Sequence, residues 1–342
     1  MKDSLKIGFF QSMRGKIFLL FMALSLIPMA ITGIIIVIQS QQSIKADIEA
    51  QYNTITDLQV KEITNWIIER KSDVVTLAGI ARIQSLDPEK ACPAVKQYFD
   101  QWGIYQDIFV ALPDGSRLCD AIGGKTSVSD RDYFQEAIQG KTVISDPLIS
   151  KTTGTPVIIF ATPLIVEGKI IGVVATSMST TYFTDLLSVI QSGKSREGYL
   201  VSRDGIFITA SRFTDDLKKM GLIKENVELE LKIDTPGLRK ALGGESGIAE
   251  YPSYHNTMVL GAYRPIPELG TGAVLLVEQE IGEVMSVSNR LRDIILIIGV
   301  ICAVIVTILA QVFGRSLTQP LEIISNALNN LAQGNLNQEL LS

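Results

Sequence analysis

The stretch "SDRDYFQEAIQGKTVISDPLISKTTGTPVIIFATPL", residues 129–164, sets an arginine and two aromatics ahead of a glycine and an apolar strand. Part of it, "FQEAIQGKTVISDP" (134–147), has a later counterpart in "LRKALGGESGIAEY" (238–251), where Ala241 answers Ala137, Gly244 answers Gly140 and Ser246 answers Thr142. The flanks repeat as well. "YQDIFVALPDGSRLCDAI" (105–122) reads as strand, Asp114-Gly115 turn and strand, and "GYLVSRDGIFITAS" (198–211) repeats that order around Asp204-Gly205. A long hairpin follows each copy, "GTPVIIFATPLIVEGKIIGVVATSMS" (154–179) turning at Glu167-Gly168, and "TMVLGAYRPIPELGTGAVLLVEQE" (257–280). Two such copies are an internal duplication. Each predicts an antiparallel sheet with short helices on one face, so the fold class is α+β.

The chain has 342 residues and a 46% hydrophobic fraction, concentrated in two uncharged runs, 17–38 and 294–314. Each reaches the ~20 residues that cross a ~30 Å hydrocarbon core, and uncharged runs of this length are rarely core helices. The first run exceeds a signal-peptide core and is not followed by a small-x-small cleavage site, so it is read as retained. Lys2, Lys6, Arg14 and Lys16 precede it against Asp3, which places the N-terminus in the cytoplasm. The second run votes less clearly, with Arg290 and Arg292 outside and Arg315 inside. Both ends are then cytoplasmic, and the expected boundaries are a tail (1–16), a first span (17–38), an outward segment (39–290), a second span (294–314) and a cytoplasmic piece (315–342).

From residue 40 to Gly79 there is neither proline nor glycine. Ile44, Ile48, Tyr52 and Ile55 recur at helical spacing, as do Ile63, Trp66, Ile67, Val74 and Leu77. The reading is a stalk helix over 40–78 whose apolar stripe is covered by the following modules (distal 80–182, proximal 183–282) or by a second copy. After the second run a helix is expected to start at Pro320. Leu317, Leu321, Ile324, Leu328 and Leu331 make a short heptad seam, open to a coiled coil or a single amphipathic helix.

The net charge of −5 and the lack of a Lys/Arg-rich run give no footprint for nucleic acid. "GGKT" (123–126) has Cys119 where a P-loop needs its first glycine. The chain has one histidine, His255, and no cysteine cluster, so neither a metal site nor a Ser-His-Asp enzyme is expected, and no cofactor. Cys302 falls in the second span as a small apolar residue, whereas Cys92 and Cys119 lie in the outward segment, where an oxidising compartment permits a disulfide. The alternative is two free buried thiols.

Arg131 offers a rigid fork of donors for a carboxylate, and Tyr133 and Phe134 offer pocket walls. From the residues alone, Arg131 paired at the surface with Asp130 or Asp132 is the leading reading. The duplicated modules on a long helix, with "RDYF" and the following alanine and glycine, resemble the double Cache domain of bacterial receptors, whose modules are PAS-like. "RSLTQPLEIISNALNNLAQGNLNQEL" (315–340) resembles the start of a HAMP linker. The first resemblance implies that Arg131, Tyr133, Phe134 and Ala137 stand for an Arg-x-Trp-Tyr-x-x-Ala pattern whose arginine holds a ligand carboxylate. Relatives of that kind hold the ammonium with a tyrosine and two aspartates, where Leu148, Ser150 and Ser177 stand here, so an α-amino acid is disfavoured. Lys151 adds positive charge and favours a small carboxylate or other anion. Asp146 is either a pocket acceptor or a strand-end turn residue. The expected ligand-binding set is thus Arg131, Tyr133, Phe134, Asp146, Ser150, Lys151 and Ser177, with no comparable site in the proximal module.

The resemblance also implies a homodimeric, multi-pass receptor of a bacterial cell membrane, sensing a small solute outside and relaying through the second span. No output domain follows in the sequence. The competing expectation is therefore a truncated receptor that acts as a structural adaptor through dimer contacts.

Overall fold

A computed structural model describes residues 13–332. The N-terminal tail up to residue 12 and the Gly-x-Leu end of the HAMP-like stretch lie outside the described residues. Helix α1, Met13–Ala78, continues without a break through the first apolar run into the stalk. Two helices are long and apolar enough to cross a membrane, within Phe18–Ala78 and Ser288–Phe313. The two helices meet closely where a Cβ on Gly33 would stand 3.1 Å from Ile295.

The short helix α2 (Ala81–Gln84) leads to α3 (Pro88–Trp102). Asp87 caps α3 by accepting from the Glu89 N–H at 3.0 Å, Pro88 supplies the favoured first position, and Gly103 ends the helix at φ 65. The distal sheet contains β1 (Asp107–Ala111), β2 (Arg117–Asp120), β3 (Val143–Ile144), β4 (Leu148–Ile149), β5 (Pro156–Val166) and β6 (Lys169–Ser179). Its order is β2-β1-β6-β5-β3, with β4 also on β5, and every pairing is antiparallel. Helix α4 (Asp132–Ala137) covers one face with a core of Phe109, Phe134, Ala137, Val157 and Val173. The other face meets α1, where Trp66 stacks on Tyr182 at 4.6 Å and stands edge-on to Phe160 and Phe183. Burial on both faces explains why β5 reads as a continuous apolar run.

After α5 (Thr181–Ser188) the proximal module repeats the plan with β7 (Glu197–Ser202), α6 (Thr214–Lys219), α7 (Pro236–Leu242), β8 (Gly247–Pro252), β9 (Met258–Ile266) and β10 (Ala273–Glu280). The sheet order β7-β10-β9-β8 matches β1-β6-β5-β3 in the distal sheet. Gly115 and Gly205, the matching turn glycines, share φ 82, a left-handed conformation that favours glycine. Helices α8 (Ile281–Val284) and α9 (Ser286–Ala332) complete the described chain.

Three expectations change. The strand after Asp204-Gly205 shrinks to single bridges, Val201 to Phe207 and Ile206 to Lys232: Ile208 still donates to the Leu200 carbonyl of β7, but the Leu200 N–H goes to the Thr209 hydroxyl and does not close the ladder. Pro320 lies inside α9 (Ser286–Ala332) and does not open a new helix. The stalk modules cover a stripe that begins at Tyr52 and runs through Thr56, Gln59 and Ile63, so Ile55 is only half-buried.

Cys92 of α3 is bonded to Cys119 of β2, across a sequence separation of 27. Loop closure of that length restricts the unfolded chain by on the order of 3 kcal/mol. Alkylation of the exported protein without reductant should therefore leave both thiols unlabelled, and a Cys92→Ala, Cys119→Ala variant should unfold at lower temperature; labelling of both native thiols refutes the bond.

Candidate functional site

On the α4 face of the distal sheet lies a small, partly open pocket with room for about one water molecule. Its polar lining is Asp107, Arg117, Arg131, Tyr133, Ser150, Lys151 and Ser177, and its apolar walls include Phe109, Val128, Leu148 and Ile159. The structure thus brings Arg131, Tyr133, Ser150, Lys151 and Ser177 together.

Arg131 stands at the N-cap of α4 with extended backbone (φ −94), which turns its side chain back across the sheet. Its Nη2 donates to the Ile149 carbonyl at 3.2 Å, and among the described residues no carboxylate pairs with it. Asp130 accepts from the Lys151 Nζ, a hydrogen bond that holds its carboxyl below the usual range, and the same Nζ donates to the Ser127 carbonyl at 3.0 Å. Ser150 shapes the rim, its Oγ accepting from the Thr153 N–H at 3.1 Å. Tyr133 is buried, and burial pushes its hydroxyl up to about 12, so it stays a neutral donor. Ser177 sits on β6 directly between Asp107 of β1 and Ile159 of β5.

Two expected residues stand elsewhere. Phe134 belongs to the core under α4: helical phase aligns it with Ala137 and turns it away from Tyr133. Asp146 lines an adjoining open groove that shares Arg131, Tyr133 and Leu148 with the cavity. Its carboxylate accepts the Thr271 N–H at 2.8 Å and hydroxyl at 3.0 Å, so it is an inter-module contact and not a free acceptor.

The floor of the cavity was not legible. Arg117 donates from Nη1 to Asp107 at 3.0 Å, to Thr152 at 3.1 Å and to Asp120, and lies 3.9 Å over the Phe109 ring. All three charged side chains are about 5% exposed or less. Asp107 Oδ1 and Arg117 Nε are buried without partners. Burial, and then the Asp120 charge, push the Asp107 carboxyl up to about 7 despite Arg117. A register shift between Val110 and Ala111 adds a residue to β2, so Cys119 meets α3 while Arg117 lines the cavity. Strict alternation would have put both on one face. The readable signal was Asp107, a charged residue two places before Phe109 on an otherwise apolar strand.

Replacing Arg117 alone strands two buried carboxylates. Arg117→Met should cost about 3–5 kcal/mol, whereas Arg117→Met with Asp107→Asn and Asp120→Asn should recover most of the loss. Thermal melts of the single and triple variants check this; equal melting points would mean the three groups are not coupled.

Residues 40–288 match the Cache domain (dCache_1). The methyl-accepting chemotaxis protein PscA of Pseudomonas syringae pv. tomato is 21% identical over 328 residues, 92% of this chain and 49% of that protein. PctB of Pseudomonas aeruginosa, also a methyl-accepting chemotaxis protein, is 21% identical over 303 residues, 85% of this chain and 45% of its own length. The chain thus spans about half the length of these two curated relatives. Among solved structures, the ligand-binding domain of the Pseudomonas fluorescens chemoreceptor CtaA with L-leucine superposes with a TM-score of 0.53 at 16% identity, covering 71% of this chain and 99% of that domain. The sensory domain of the Campylobacter jejuni chemoreceptor Tlp3 with isoleucine gives 0.53 at 14% identity, covering 71% and 97%.

Proposed function

This chain belongs to the Cache domain family, and on that premise we propose that it is the solute-sensing part of a bacterial membrane receptor, with the distal cavity as its ligand site. One observation carries the reading: Arg131 lines a partly enclosed pocket and, among the described residues, has no carboxylate partner. A guanidinium in that setting is a receptor for a carboxylate. The nearby Asp130 is occupied by Lys151, so the cavity mouth keeps Arg131 available.

Asp107 widens the range of ligands. Leu148, Ser150 and Ser177 supply no carboxylate for an ammonium, but the unpartnered Oδ1 of Asp107 offers an acceptor from the neighbouring strand. The proposed ligand is therefore a small carboxylate, with amino acids back in contention; the CtaA and Tlp3 domains hold L-leucine and isoleucine. The apolar walls suit a short hydrocarbon portion. We further propose that the two apolar helices span the cell membrane, that residues 39–290 face outward, and that two copies pair along the stalk and through a HAMP-like start after the second span. Signalling then requires ligand contacts that differ between two arrangements of the distal module.

The test is a thermal-shift screen of the full chain in nanodiscs against carboxylates, amino acids, amines and nucleobases. A carboxylate or amino acid should raise the melting point by mass action. Arg131→Ala should abolish that shift with the unliganded melt unchanged, and Arg131→Lys should weaken binding about tenfold, since lysine lacks the fork. Wild-type binding by the alanine variant would remove the distal site assignment. A ligand with an amine should bind more tightly as pH rises through about 7, because Asp107 must be ionised to receive an ammonium; isothermal titration on either side of that pH measures it.

A further inference from the structure

The two modules can be aligned through their turns and ladders. Asp107 and Glu197 stand equally far before Gly115 and Gly205, both at φ 82. Asp107 pairs with Ser177 across β1 and β6, and Glu197 pairs with Glu278 across β7 and β10. The proximal counterparts of the cavity floor are therefore two glutamates directly opposite each other. By the same turn register, Arg117 corresponds to Phe207, which stacks on Tyr199 at 4.7 Å as Arg117 lies over Phe109. The cation that offsets the distal carboxylates has no proximal equivalent.

A solute has no room there. The counterpart of Ile159 is Gly261, and a Cβ at Gly261 would stand 2.2 Å from the Tyr251 hydroxyl, so the Tyr251 ring fills the space that the cavity occupies in the distal module. The acids nevertheless remain buried, Glu197 at 2% and Glu278 at 3% exposure. Glu197 accepts from the Tyr254 hydroxyl at 2.6 Å and the Arg212 N–H at 2.8 Å. Glu278 is buried with the Tyr199 and Tyr251 hydroxyls beside it.

Among the described residues no cation forms an ion pair with Glu197 or Glu278, although the Arg212 charge acts on Glu197 through space. The Arg212 guanidinium donates to the Arg196 and Gly193 carbonyls, and among the described residues it forms no ion pair with either glutamate. From α1 the nearby titratable group is Tyr52, which bonds Gln279, the neighbour of Glu278. From β9 it is Tyr263, with Lys240 of α7 lying 5.8 Å over its ring. Glu283 of α8 is occupied by the Ser195 N–H at 2.7 Å. Two adjacent carboxylates in such surroundings cannot both be ionised without a large desolvation and repulsion cost.

We propose that Glu197 and Glu278 form a proton-binding site in the proximal module, holding one proton between them and tying the packing of β10 to external pH. Burial pushes the Glu278 carboxyl up to about 7 and raises Glu197 in the same direction. Strand β10 is followed in the chain by α8 and α9, so loss of the proton introduces repulsion next to the exit of the sheet. This site is independent of any ligand in the distal cavity.

The sign of the effect is fixed by linkage. Between the ordinary glutamate range and about pH 7 the folded protein keeps a proton that the unfolded chain has released, so stability falls as pH rises through that window. Melting curves of the full chain in nanodiscs, from about pH 5 to pH 8, should show wild type losing ground to Glu278→Gln as pH rises, because glutamine stays neutral throughout. Parallel curves, with a constant offset, overturn the proposal. If the variant fails to fold, infrared spectra of wild type with isotope-labelled glutamate decide the matter. A protonated glutamate band at about pH 6 that vanishes by about pH 8 supports the site, and its absence at both refutes it.

Discussion

One stripe of α1 buried against both sheets is the constraint on which the other features depend. Tyr52, Ile63, Trp66, Ile67, Val74 and Leu77 are all 7% exposed or less, and each buried large side chain contributes about 1.5–3 kcal/mol. Polar contacts fix the register of the same helix. Arg264 of β9 donates to Asp57 at 2.9 Å and to Asn53 at 2.6 Å, and Tyr52 reaches Gln279 of β10 at 3.2 Å. Because a single helix covers one face of each sheet, each module needs only short helices for its second face. Helix α4, six residues long, leaves part of the distal face open, and the cavity forms there.

From one duplicated plan the modules then diverge through the cost of buried charge. The distal floor places the Arg117 guanidinium between Asp107 and Asp120, a positive charge against two buried acids. The proximal module puts Phe207 at that position, stacks it on Tyr199 and packs Tyr251 over Gly261, which removes the cavity. An arginine-for-aromatic exchange at one turn-proximal position thus separates an open polar pocket from a closed core. The same exchange leaves Glu197 and Glu278 with hydroxyl and backbone donors as their nearest polar company.

Local chemistry made much of this legible. Asp-Gly and Glu-Gly turns, the Ala and Gly repeats and the charge-free runs all report on backbone conformation or solvent within a few residues. Arg131, Tyr133, Ser150, Lys151 and Ser177, named together through the resemblance to double Cache domains, share the lining of one pocket. Arg117 was not, since a one-residue register shift in β2 reverses the face that alternation assigns. Phe134 was misplaced for a similar reason: α4 starts at Asp132, and that start, set by tertiary packing, decides which of two adjacent aromatics meets the cavity. The proximal strand after Asp204-Gly205 is cut short because the Leu200 N–H bonds the Thr209 hydroxyl in place of a backbone carbonyl, a side-chain competition that alternation of apolar residues does not report.

Asp146 joins the two halves of this picture. It precedes Leu148, Ser150 and Lys151 in the chain, all three of which line the distal cavity, and its carboxylate binds Thr271 in the turn between β9 and β10. Gly270 at φ 61 brings that turn so close that a Cβ would stand 2.4 Å from Asp146 Oδ1, and 3.1 Å from the Ser145 carbonyl. Side-chain length therefore cannot absorb a displacement of the segment that rims the cavity; the turn must move with it or release the contact. Strand β10 begins two residues beyond Thr271 and carries Glu278 before the chain enters α8 and α9. A change at the cavity rim and a change in the charge of Glu278 consequently act on the same strand, one at its first residues and one near its last.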